Sequence, residues 1–151
     1  MITLRKINKA DSSSIFDLVM ELAVFEKSAS AVKTCPEDFE SNYEKGIFDG
    51  FVAEVTGQGI VGMALFFSYF STWNGFTIYL EDLYVKEDHR GKEIGKMLFE
   101  EVLNHAKAHD AKMVKWQVLD WNESAKNFYH KFGSIFIKGW ENGVIYLNEK
   151  V

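Results

Sequence analysis

The sequence predicts an α+β or mixed α/β fold, a single and mostly antiparallel sheet flanked by helices in the order βααβββαβαββ. Three observations carry this. Two turn signals, Thr56-Gly57-Gln58-Gly59 and Asn74-Gly75, join three β-rich runs into consecutive hairpins. Apolar residues recur at helical spacing before and after those runs. No repeat, low-complexity tract or linker divides the chain, and Pro36 is its only proline. One domain over residues 1–151 is therefore expected.

Ile2-Thr3-Leu4-Arg5-Lys6 alternates as a short strand. Asp11 stands where an N-cap would begin a helix whose Ile15, Leu18, Val19, Leu22 and Phe25 share one face. A second helix is expected from Pro36 to Gly46, with proline in its first turn and glycine past its end. The hairpin strands cover about 51–55, 60–70 and 77–85. Ile94, Met97, Leu98, Val102 and Ala106 mark a further helix. Residues 113–119 read as a strand, 122–132 as a helix closed by Gly133, and two short strands near 135–137 and 144–147 complete the order.

Apolar residues make up 47% of the chain and aromatics 15%, which describes a folded domain and excludes a disordered tail. The net charge of −5 argues against nucleic acid, whose binding needs a basic face to neutralise phosphates. It is mildly favourable to a small cation. A lone cysteine, Cys35, cannot form an internal bridge, so a reducing, cytoplasmic setting is expected. No apolar run approaches the roughly 18 residues of a membrane span, and residues 1–6 are too short and polar for a leader. No membrane partner is expected.

Three motifs are set aside. Gly57-Gln58-Gly59-Ile60-Val61-Gly62 matches GxGxxG by letter, but its glycines lead into a strand, whereas a dinucleotide fingerprint must open a helix. His105 and His109 have the i, i+4 spacing of a metal pair without HExxH around them; a last helical turn favourable to histidine is the simpler reading. No metal is expected. Cys35 lacks a nearby histidine to activate it.

Two features remain. In Ile78-Tyr79-Leu80-Glu81-Asp82-Leu83-Tyr84-Val85, adjacent carboxylates interrupt an apolar strand, and alternation sends them to opposite faces. In a central strand one of them meets a costly environment; an edge strand or a salt-bridged pair is the structural alternative. The strand then runs through a charged loop, Arg90-Gly91-Lys92-Glu93-Ile94-Gly95-Lys96, into a helix. Glycine, cationic side chains and unpaired amides at a helix start suit phosphate oxygens.

Strand, Arg-Gly-x-x-Ile-Gly, then amphipathic helix resembles the acyl-CoA-binding core of the Gcn5-related N-acetyltransferases (GNAT). The chain is most similar to their diamine branch, the spermidine/spermine enzymes and especially the thialysine-acetylating ones. "ELAVFEK" (21–27), "STWNG" (71–75), "TIYLEDLYV" (77–85) and "VLDWNESAKNFYHKFG" (118–133) carry that resemblance in order and spacing. It implies the GNAT fold, acetyl-CoA as cofactor and a homodimer.

The resemblance also implies roles. Leu83, Tyr84 and Val85 would pair with the pantetheine arm as an added strand, and Arg90, Gly91, Lys92, Glu93, Ile94, Gly95 and Lys96 would cradle the pyrophosphate. Asn122 and Tyr129 would also meet the cofactor. A primary amine of pKa about 10 is almost wholly protonated at neutral pH, so a carboxylate must help remove its proton; Glu81 is the candidate. Tyr129 of the NFY motif is the candidate acid for the leaving thiolate, in a direct transfer without a cysteine intermediate. Phe25, Glu26, Trp73, Glu81, Asp82, Lys115, Trp116 and Gln117 are expected along the channel for a small cationic amine. "LDWN" and "FEK" favour the thialysine type, and Ser71 stands where some polyamine enzymes carry an acid. Two alternatives are a GNAT enzyme acting on a protein or antibiotic amine, and a non-catalytic acyl-CoA-binding module. The family pattern wants glycine at Glu93, whose carboxylate is expected to turn outward at the helix start.

Overall fold

The computed structural model describes residues 1–147. The chain divides into two compact units, Met1–Gln117 and Val118–Val151. The first contains one five-stranded sheet of β1 (Ile2–Lys6), β2 (Asp49–Val55), β3 (Gly59–Ser71), β4 (Gly75–Val85) and β5 (Met113–Lys115), in that order. Neighbours are antiparallel except β4 and β5. Helices α1 (Ser12–Phe25) and α2 (Pro36–Glu44) lie between β1 and β2, and α3 (Ile94–Ala108) makes the crossover from β4 to β5.

Alternation in the strands sorts the core onto two faces. Val52, Met63, Leu65 and Tyr84 cluster with Ile15 and Leu18 of α1, and Phe39 and Tyr43 of α2 pack against them. On the opposite face Phe51 and Phe66 meet His105 of α3. A Cβ at Gly62 would stand 3.1 Å from Leu98 and 3.4 Å from Ile94. Glycine there lets the first turns of α3 lie close on the sheet, which places the loop ahead of that helix.

Most predicted elements form, and their ends show why some differ. Asp11 does not cap α1 with its side chain. It accepts two hydrogen bonds from Arg5, at 2.8 and 2.9 Å, and one from the Asn8 amide, closing a 3₁₀ turn instead. Arg5 holds its carboxyl below the usual range. α2 begins at Pro36 behind the Cys35 N-cap, and Gly46 follows it at φ +70°. The GxGxxG match is a turn leading into β3, as its sequence context requires.

The predicted strand 113–119 stops at Lys115. The second unit contains α4 (Glu123–His130), capped by Asn122, whose side chain accepts from the Ala125 amide at 3.1 Å. Gly133 (φ +80°) follows, its amide bonded to His130 O at 3.0 Å. The two tail strands expected near 135–137 and 144–147 do not form. Ile135, Ile137, Val144, Ile145, Tyr146 and Leu147 are all exposed; β-branched composition alone cannot make a strand where no other strand pairs with it among the described residues. Among the described residues no helix is long and apolar enough to cross a membrane.

Candidate active site

β4 carries the two features singled out in the sequence. β5 pairs with it only from Thr77 to Tyr79, so no strand covers its outer edge from Leu80 to Val85 among the described residues. Leu83, Tyr84 and Val85 pair on their inner side with Ala64, Met63 and Gly62 of β3. An extended ligand can add to such an edge through main-chain hydrogen bonds.

The carboxylate pair is arranged by a bulge. Leu65 opposes Asp82 and Phe66 opposes Leu80, leaving Glu81 as the extra residue. In a regular strand Asp82 would share the α3 face with Leu80. The bulge turns it to the α1 face with Leu65 and Tyr84 and leaves Glu81 exposed. Simple alternation expected opposite faces; the bulge interrupts that alternation, and the costly environment falls to Asp82. Its carboxyl is pushed up to about 7, first by burial and then by the charges of Glu81 and Glu26. Burial also raises Glu26.

A carboxyl whose folded pKa exceeds its unfolded value destabilises the fold once ionised, and this loss fades as pH drops from about 7 toward 4. Asp82→Asn is expected to raise the melting temperature at pH 8 and leave it nearly unchanged at pH 4. Equal shifts at both pH values would contradict the burial.

At the end of β4 the chain passes a 3₁₀ turn, Glu87–His89, and reaches the loop before α3. Gly91 (φ +74°) and Glu93 (φ +62°) are both left-handed. The first helical amide with an acceptor is that of Met97, which donates to Glu93 O at 3.0 Å. Those of Ile94, Gly95 and Lys96 have none among the described residues. They form, with Lys92, Lys96 and Arg90 nearby in sequence, a place for an oxyanion.

Glu93 turns out as expected. Its side chain is 72% exposed, makes no cap, and lies 3.6 Å from Lys96 Nζ. The family's glycine now has a physical reason: the N-cap backbone here is left-handed, which disfavours a residue with a Cβ. Glu93→Gly is expected to stabilise the protein by about 1 kcal/mol and to leave coenzyme affinity within about threefold. Denaturant melts and calorimetric titration check both; tenfold tighter binding would show that the carboxylate crowds the ligand.

Other predicted residues scatter. Phe25 ends α1 with its ring 5.2 Å from the Arg90 guanidinium. Lys115 pairs with Tyr79, on the face of Asp82. Trp116 instead meets Phe99 of α3 edge-on at 5.5 Å, on the opposite face, and Gln117 lies beyond β5. Trp73 is 86% exposed at the hairpin tip, roughly 20 Å along the strand from Asp82 at normal rise. A turn residue cannot reach back that far, so it is not brought to the carboxylates. In the second unit, Tyr129 is buried in α4, its ring 5.1 Å from Phe128, and Asn122 is the cap of that helix.

Two residues escaped the sequence reading. Tyr79 stacks on Phe67 at 5.1 Å beside Tyr69, and burial and the charge of Glu81 raise its hydroxyl pKa. Glu21 accepts from the Tyr84 hydroxyl at 3.2 Å. Its signal was present, since it stands one helical turn before Phe25. Of the motifs set aside, the histidines stack at 4.1 Å. Burial lowers the pKa of His105, which works against a charged ring at this helix end. Cys35 is an exposed cap whose thiol is raised by hydrogen bonding to Glu37, the wrong direction for a nucleophile.

The sheet is thus open along one strand, beside a glycine loop that starts a helix. The acetyltransferase (GNAT) family model matches residues 14–134. Thialysine N-epsilon-acetyltransferase from Sus scrofa is 31% identical, over 93% of this chain and 90% of its own. The Mus musculus enzyme of that name is 33% identical over 87% and 82%. In fold, the chain is similar to glucosamine-6-phosphate N-acetyltransferase from Arabidopsis thaliana (TM-score 0.77, 20% identity, 97% and 99% covered). The chain belongs to the GNAT family and is an amine N-acetyltransferase.

Proposed function

We propose that the chain transfers the acetyl group of acetyl-CoA directly to a small primary amine, a thialysine-like or lysine-like side chain or a short diamine. The observation that carries the reading is the juxtaposition along β4: an open main-chain edge from Leu80 to Val85, with Glu81 and Asp82 at its head. The relatives named for thialysine point to the same acceptor class. The open β4 edge would hold the pantetheine arm, and the amides from Gly91 to Lys96 with Arg90 would hold the pyrophosphate. Acetyl-CoA supplies the activated thioester; the protein supplies positions, charge and proton transfer.

Asp82 and Glu26 hold the ammonium end of the acceptor, whose charge favours their ionised forms. Glu81, exposed at the bulge, takes the proton from the attacking nitrogen, directly or through water. Tyr129 is assigned the return proton to the leaving thiolate on its NFY motif, and Asn122 a cofactor contact on the same ground. The enzyme works in the cytoplasm, the reducing setting that suits its lone Cys35, and as a homodimer, as the family resemblance implies; 1–151 serves as one acyltransferase domain.

Thiol release from acetyl-CoA across spermidine, putrescine, thialysine, lysine and a lysine-containing peptide tests the acceptor. The highest kcat/KM is expected with thialysine or lysine. A peptide preferred over every small amine would overturn the small-amine reading in favour of a protein acceptor.

A further inference from the structure

We infer that Phe25 is a positioning residue for the coenzyme half of the site, holding Arg90 rather than the amine. The inference rests on the coenzyme reading proposed above.

Arg90 is clasped from three sides. Its Nε donates to the Val85 carbonyl at 3.0 Å. Its guanidinium carbon lies 5.3 Å from the Tyr84 ring and 5.2 Å from the Phe25 ring. Tyr84 is fixed in turn, buried in the core and bonded through its hydroxyl to Glu21 of α1. Two rings, one from the last residue of α1 and one from β4, thus hold the same planar cation just ahead of Gly91.

An exposed arginine ordinarily samples many rotamers and loses that freedom when it binds an oxyanion. Stacking limits those rotamers beforehand, and the guanidinium plane suits it to rings in a way an ammonium does not. Nε accounts for one of five donors, and the fork also interacts with the Tyr84 hydroxyl. The donors left over are the part that would reach phosphate oxygens. Because Phe25 ends α1, immediately before Glu26 at the acceptor carboxylates, the same ring ties the acceptor-side helix to the cofactor loop.

The test is calorimetric titration of coenzyme A, with no amine present, into wild type, Phe25→Leu, Phe25→Tyr, Arg90→Ala and the double variant Phe25→Leu/Arg90→Ala. Phe25→Leu is expected to weaken binding about three- to fivefold, the scale of an exposed cation–π contact. Phe25→Tyr should restore it, and the leucine change should have no further effect once Arg90 is alanine. Coenzyme affinity within 1.5-fold of wild type for Phe25→Leu, with the amine KM raised instead, would overturn the inference and return Phe25 to the acceptor channel. Equal weakening by Phe25→Leu with and without Arg90 would overturn it as well. Failure of the wild-type protein to bind coenzyme A would overturn the underlying cofactor reading, and the inference with it.

Discussion

Glu81→Gln is expected to lower kcat about 10²- to 10³-fold at pH 7 while leaving coenzyme affinity unchanged, the range of a lost general base. An acceptor amine of pKa about 10 exposes its lone pair in roughly one molecule in a thousand at that pH. Glutamine preserves the size of the side chain at the bulge but cannot take the proton. As pH rises toward 10 the amine loses its proton without help, so the deficit of the variant should shrink about tenfold per unit. A deficit constant across pH would mean that Glu81 positions the acceptor and does not accept its proton. The exposed place of Glu81 matters here, because it leaves the carboxylate open to solvent, whereas Asp82 is turned to the α1 face.

Tyr129→Phe is expected to cut kcat about 10²-fold. Only a hydroxyl is removed, so the α4 ring contacts with Phe128 persist, and stability should fall by no more than about 1 kcal/mol. A tyrosine and an alkyl thiol have similar acidity, near 10 and 8.5, which suits the phenol to return a proton to a departing thiolate. The loss should diminish with an acetyl thioester whose thiol is more acidic and leaves without protonation. Unaltered kcat would remove Tyr129 from the mechanism.

The elements legible in the sequence were those with local signals. Helical spacing from Ile15 to Phe25 and the turn glycines at 57, 59 and 75 needed no knowledge of the rest of the chain. What depended on pairing was hidden. The bulge at Glu81 exists only in register with Leu65 and Phe66, and it decides which carboxylate is the less exposed. The tail runs around Ile135 and Ile145 have the composition of strands but pair in no sheet ladder among the described residues. Asp11 has the residue type of a cap, yet Arg5, brought beside it by the fold, claims its carboxylate. In the site, motif spacing located the loop at Arg90. The left-handed backbone of Glu93 and the rings around Arg90 emerged only with the fold.

Acetyl transfer between partners bound along β4 is tested most directly by following labelled acetyl-CoA with thialysine, the four other acceptors of the panel in parallel, and measuring label on the amine together with free thiol. N-acetylated amine and thiol are expected in equal amounts, with no label retained on the protein. Acetyl-CoA that raises the melting temperature yet yields no acetylated amine from any acceptor would contradict that transfer and leave a binding module.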